Sequence, residues 1–184
     1  MANNTTTILT PFLSSAGADP ATQNDATALN ALGQIYVSNA STTGVNAGLA
    51  PKVWQYVQLH ASSAVSAAGT YFIWQDYDNF VVTTVNSTTS ANRNAGAGCS
   101  QAAGTVAGNF GWIQVGGQGL VLLETATAGA VGQHIIAGAT TAGRADSIAL
   151  GTAPTSGPYG RLLTVEIGTS DTYEAHLFFP PLGR

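Results

Sequence analysis

The stretch GNFGWIQVGGQGLVLLE, running from Gly108 to Glu124, decides how the rest of the chain is read. It holds five glycines, one carboxylate at its far end and no other ionisable group. A glycine-rich segment cradles a phosphate when a strand leads into it and a helix N-terminus leads out, with a Lys-Ser/Thr pair following. Here the glycines are followed by Leu120-Val121-Leu122-Leu123, which reads as a strand. No Lys-Ser/Thr pair follows, and Gly117 and Gly119 lack the third glycine of a dinucleotide fingerprint. Gly116 to Gly119 are therefore expected to form a turn with positive φ, joining strands at 112–115 and 120–125. Gly108 and Gly111 are assigned to a second turn that feeds Trp112 into the core.

The same two-residue period runs outward on both sides. KVWQYVQLH (52–60) puts Val53, Val57 and Leu59 on one face and Trp54, Tyr56 and His60 on the other. TYFIWQ (70–75) and FVVTTVN (80–86) are dense in β-branched and aromatic residues. Asp76 to Asn79 between them supplies turn chemistry, so a hairpin is expected. QIYVS (34–38), QHIIA (133–137) and DSIALG (146–151) are shorter candidates. RLLTVEI (161–167) and TYEAHLFF (172–179) close as a hairpin through Gly168 to Asp171. The sum is an all-β chain, an antiparallel barrel or sandwich of about nine or ten short strands. Residues 87–108 read as a loop.

The N-terminal part breaks this pattern. Residues 1–19 are rich in Asn, Thr, Ser and Ala and read as an extended arm. Asp19-Pro20 opens a short expected helix over 20–32, with Ala26, Leu29 and Leu32 along one face and Gly33 as the stop. Residues 20–184 read as one β-rich domain, with a weak sub-boundary near 126–132. No basic leader precedes an apolar run, so no secretory signal is expected, and no apolar run approaches the ~20 residues that span a bilayer.

Charge is the outlier in the composition. Of 184 residues, 8% are Asp, Glu, Lys or Arg, against about 25% in an ordinary domain. Five basic and nine acidic side chains leave a net charge of -4. No basic stripe is present to displace counterions from phosphates, which disfavours nucleic acid as a partner. A skin this neutral fits either an exposed β-protein or a subunit covered by neighbours, since interface cores are depleted of charge.

Groups that could carry chemistry are few and scattered. Cys99 is the single cysteine, which excludes an internal disulfide and a thiolate metal cluster. His60, His134 and His176 lie far apart in sequence and read as strand histidines. Asp76, Asp78 and Asn79 lack the glycine and later glutamate of a calcium loop, and read as turn residues. Glu124 and Asp146 are solitary, while Glu166 and Glu174 flank the last hairpin and would be the one candidate glycosidase pair. No cofactor or catalytic residue is assigned. Trp54, Trp74 and Trp112, with Tyr56, Tyr71 and Tyr77, either pack the core or form a sugar-stacking platform; core packing is the expectation.

Two motifs carry a resemblance. Asn92-Arg93-Asn94-Ala95-Gly96, followed by Gly108-Asn109-Phe110-Gly111-Trp112-Ile113-Gln114-Val115-Gly116-Gly117, resembles a pattern of small structural proteins of tailed-phage virions, notably head-decoration (cement) proteins. The hairpin from Gly69 to Trp74 and from Phe80 to Thr83 looks like the one that precedes it, and the resemblance spans about residues 33–125. It implies a homotrimer clamped to the outside of a capsid, bridging major capsid protein subunits through an N-terminal arm. Asn3, Thr6, Ile8, Leu9, Phe12 and Leu13 are the partner-binding residues expected there. A tail, baseplate or fibre-associated β-domain is the second reading. A carbohydrate-binding module using Trp54, Trp74 or Trp112 is the third.

Overall fold

The computed structural model describes residues 20–38, 51–63, 67–85, 95–124, 129–153, 159–164 and 171–179. They form eleven strands: β1 (Asn24–Asp25), β2 (Ile35–Ser38), β3 (Lys52–Leu59), β4 (Tyr71–Asp76), β5 (Val81–Thr83), β6 (Gly96–Cys99), β7 (Phe110–Leu122), β8 (His134–Ala137), β9 (Ala145–Ile148), β10 (Gly160–Leu162) and β11 (Thr172–Phe178). The chain is all-β, and the described residues hold no helix.

The pairing order closes a barrel. β3 pairs with β5, β5 with β4, β4 with β6, β6 with β7, and β7 returns to β3. β7 then continues into a second set of strands, ordered β7-β11-β10-β8-β9. A parallel bridge between Leu123 and Ala145 brings β9 back to the end of β7. The two parts share one continuous apolar cluster, in which Val57, Phe72 and Ile113 pack with Leu123, Ile135, Leu162 and Leu177.

The sheet departs from the antiparallel expectation at the Leu123–Ala145 bridge and between β3 and β5, which run parallel with Gln58 opposite Val81 and Leu59 opposite Val82. The β4–β5 hairpin forms as expected. Asp76 Oδ1 accepts the amides of Asp78 (3.0 Å) and Asn79 (3.2 Å), and Oδ2 accepts Asn79 Nδ2 at 2.8 Å, which makes this cluster a turn.

The expected helix over 20–32 is replaced by turns and the two-residue strand β1. Asn24 pairs with Gly111 and Asp25 with Phe110 on β7. Leu29, meant for the buried face of that helix, is 59% exposed. Long-range pairing has overridden a local pattern that relied on three weakly spaced apolar residues.

The opening stretch is corrected as well. Gly116 to Gly119 do not turn the chain back; β7 runs unbroken for 13 residues through them. On one side its register with β3 shifts, so that Trp54 faces Gln114 while Val53 faces Gly116, a bulge at Val115. On the other side it stays in register with β11 from Gly116 to Leu122. Gly117 has φ +85°, and a Cβ there would meet the Pro51 carbonyl oxygen at 2.5 Å. The glycine thus bends a strand against a neighbouring backbone rather than reversing it.

A strand also appears inside the expected loop 87–108. β6 is Gly-Ala-Gly-Cys, fully buried between β4 and β7. A Cβ on Gly98 would meet the Gln114 carbonyl oxygen at 2.8 Å. The barrel closes here because this strand has almost no side chains.

These contacts give graded costs. Gly108 also has positive φ (+81°), yet a Cβ there meets nothing within 4 Å. Gly108→Ala should cost about 1–2 kcal/mol from left-handed backbone strain alone. Gly117→Ala should cost well beyond ~2 kcal/mol, since the Pro51–Lys52 backbone must move too. Urea unfolding of both variants checks this, and equal losses would contradict the bulge geometry.

Candidate functional site

β3 and β7 are buried on both faces. One face lines the main core through Val57, Leu59, Ile113 and Val115. The other carries Trp54, Tyr56 and Trp112, covered by Ala21, Leu32, Tyr36 and Phe110. This is the alternation read from residues 52–60, and it explains why both faces of that stretch are apolar. Trp112 packs edge-on to Tyr36 (6.0 Å) and tilted against Tyr56 (5.1 Å).

Residues 20–38 therefore form a strap over this second face, fastened by polar groups. Trp112 Nε1 donates to Gln23 Oε1 at 3.0 Å. The Tyr56 hydroxyl donates to Asp25 Oδ2 at 3.0 Å and accepts the Leu29 amide at 3.2 Å. Burial, with the Asp25 carboxylate beside it, raises the pKa of this hydroxyl, against the opposing pull of the Leu29 amide. Asn24 Oδ1 accepts Asn109 Nδ2 (3.1 Å) and the Val106 amide (3.2 Å), while its Nδ2 donates to the Gly104 carbonyl (3.0 Å). Three successive side chains are thus spent on anchoring the strap, a few residues after Pro20, the first described residue. Asn3, Thr6, Ile8, Leu9, Phe12 and Leu13 lie outside the described residues.

A cross-strand row lies near this strap. Val37 of β2 pairs with Val53 of β3, Val53 with Gly116 of β7, and Gly116 with Phe178 of β11. Directly opposed residues share a face of the sheet. Val37 is 51% and Phe178 41% exposed. With no side chain at Gly116, the row has a notch between Val53 and Phe178.

The residues singled out for chemistry are mostly occupied in structure. Glu124 is 6% exposed. Its Oε1 accepts the amides of Thr140 (2.7 Å) and Thr141 (3.2 Å), and its Oε2 accepts the Thr140 hydroxyl. Burial alone would raise its pKa, but these hydrogen bonds outweigh that and hold the carboxyl below the usual value. Arg144 Nη1 bridges Asp171 Oδ2 (2.7 Å) and the Leu123 carbonyl (2.6 Å). Cys99 is buried, and burial pushes its thiol pKa far up, which suppresses the nucleophilic thiolate. His60 Nδ1 accepts the Ser62 amide at 3.3 Å. Glu166 lies outside the described residues; Glu174, the other carboxylate of that candidate pair, accepts Gln118 Nε2 at 3.4 Å. Among the described residues, no three His, Cys, Asp or Glu side chains are grouped to hold a metal ion. Trp54, Trp74 and Trp112 are all buried.

The strap and the Glu124 cluster each generate an expected outcome. Tyr56→Phe should cost about 1 kcal/mol and speed hydrogen exchange at the Leu29 amide, while β3 and β7 amides keep their protection. Unchanged exchange at Leu29 would mean the strap does not depend on this hydroxyl. A carboxyl whose folded pKa lies below its unfolded value stabilises the fold above the unfolded value, about pH 4.3. That contribution is lost as pH falls through the folded value. Glu124→Gln should therefore lower Tm at neutral pH and lose less on further acidification than the parent chain. Parallel Tm-versus-pH curves for the two would contradict this. No family model matches the chain, and no curated protein or solved structure matches it either, so its function has to be argued from these residues.

Proposed function

We propose that this chain is a structural protein of a virion, which binds the outer surface of a capsid as a homotrimer and bridges neighbouring major capsid protein subunits. The observation that carries the reading is how the chain uses its few polar side chains. Glu124, Asp76, Arg144 and Asp171 hold loops, and Gln23, Asn24 and Asp25 hold a strap. What faces outward is a neutral surface with apolar positions such as Val37 and Phe178, which suits contact better than chemistry.

The strap gives the arm a firm base. A binding segment joined at an immobilised residue keeps its local concentration high near the partner surface. Each copy gains about 25 cal/mol per Å² of apolar surface buried, reduced by the cost of ordering the arm. Three arms around one axis turn that modest gain into durable attachment. The resemblance carried by residues 92–96 and 108–117 points the same way.

A tail, baseplate or fibre-associated β-domain would draw on the same surface, and it remains the alternative within a virion. A carbohydrate-binding module would need rings other than Trp54, Trp74 and Trp112, since these three are enclosed by the core.

The arm is tested by deletion. A chain lacking residues 2–18 should keep its β-type circular dichroism and trimeric sedimentation, yet co-sediment poorly with capsids. Full decoration by the shortened chain would remove the arm from the mechanism. A monomer in both forms would remove the trimer.

A further inference from the structure

The tip of the β8–β9 hairpin, residues 138–144, docks on the rim of the barrel. Gly143 donates its amide to the Thr84 carbonyl at 2.7 Å, and its own carbonyl accepts the Tyr71 amide at 2.8 Å. Glu124 secures the same tip through Thr140 and Thr141. Beside this seam lies a pocket of about 160 Å³, with Thr70, Thr84 and Leu122 on the barrel side and Ala142, Gly143 and Arg144 on the hairpin side. Seams between packed units are where small-ligand sites are commonest.

Arg144 is the one ionised residue of the lining. Its guanidinium carries five N–H donors in a planar fork. Nη1 is spent on Leu123 and Asp171. Nε and Nη2 make no hydrogen bond among the described residues. Those two nitrogens form the edge of the fork that fits both oxygens of a carboxylate in parallel. Asp171, which would otherwise compete for that edge, is held on Nη1 and so fixes the guanidinium's orientation. The remaining walls are methyl groups, hydroxyls and backbone. The volume suits a carboxylate on a short aliphatic stem and is too small for a nucleotide or an oligosaccharide.

We propose that this seam pocket binds a small carboxylate, supplied either by a free short-chain acid or by the side chain of an acidic residue on a partner. The site stands on its own lining and does not depend on where the protein resides.

The test uses the full ¹⁵N-labelled chain. Sodium propionate is titrated against sodium chloride at matched ionic strength, following the Gly143 amide and the Arg144 Nε–H. A parallel titration uses a short peptide carrying one Glu against the same peptide carrying Gln. The expected result is a saturable shift with propionate and not with chloride. A matching shift with the Glu peptide alone extends the site to a partner's side chain, and its absence assigns the site to the free acid. Arg144→Lys keeps the charge but loses the fork and should weaken binding at least about tenfold. Because that variant also disturbs the Asp171 contact, Ala142→Leu provides the second arm. Ala142 is exposed, and the larger side chain fills the pocket while leaving Arg144 and Asp171 in place, so it should weaken binding to a similar degree. A shift no different from chloride, or parental binding by Ala142→Leu, would overturn the proposal.

Discussion

The whole structure depends on one strand being shared. β7 pairs with β3 along one edge and with β1, β6 and β11 along the other. Its first half closes the barrel, and its second half starts the remaining strands. A strand that serves both must change direction without losing its ladder. The bulge at Val115 and the positive φ at Gly117 supply that bend. Gln101 completes the second half, with its side chain accepting the Leu120 amide (2.7 Å) and donating to the Leu120 carbonyl (3.1 Å) as a strand neighbour would. Aromatic rings then weld the two parts. Tyr159 stacks on Phe179 at 5.3 Å, and Tyr71 of the barrel packs against Phe179 at 5.7 Å.

This architecture leaves few polar groups to spare. A chain with so little charge cannot rely on surface ion pairs, which contribute little in any case. Several of its charged and amide side chains among the described residues are instead placed where backbone groups would otherwise go unsatisfied. Glu124 collects the donors of one hairpin tip, Asp76 those of a turn, and Asn24 ties a loop more than eighty residues away. Among the described residues the exposed surface includes apolar side chains such as Val37, Val131 and Phe178. Such a surface can be covered by a partner at low desolvation cost.

How far the sequence reveals this depends on whether a signal is local. The alternations at 52–59 and 172–178 are legible because every second side chain enters a core, and the strands lie where the period puts them. β6 is invisible because Gly-Ala-Gly-Cys carries no period at all; its role comes from the close approach that missing side chains allow. Gly116 to Gly119 are ambiguous in principle. A positive φ fits both a turn and a bulge, and the choice is made by β11, which runs beside β7 without interruption. The strap residues Gln23, Asn24 and Asp25 fall inside the expected helix 20–32, because their true partners, Trp112, Asn109 and Tyr56, lie 31 to 89 positions away and leave no local signal. Arg144 offers no motif to find. Its setting is made by a hairpin tip, a barrel rim and Asp171, which come together only in three dimensions.

Native-state hydrogen exchange along β7 tests the shared-strand account most directly. Hydrogen-bonded amides on both sides of Gly117 should exchange only through global unfolding, with one free energy equal to that from denaturant titration. If the amides beyond Gly117 open at a clearly lower free energy than those before it, the two parts unfold separately and β7 is not the common wall described.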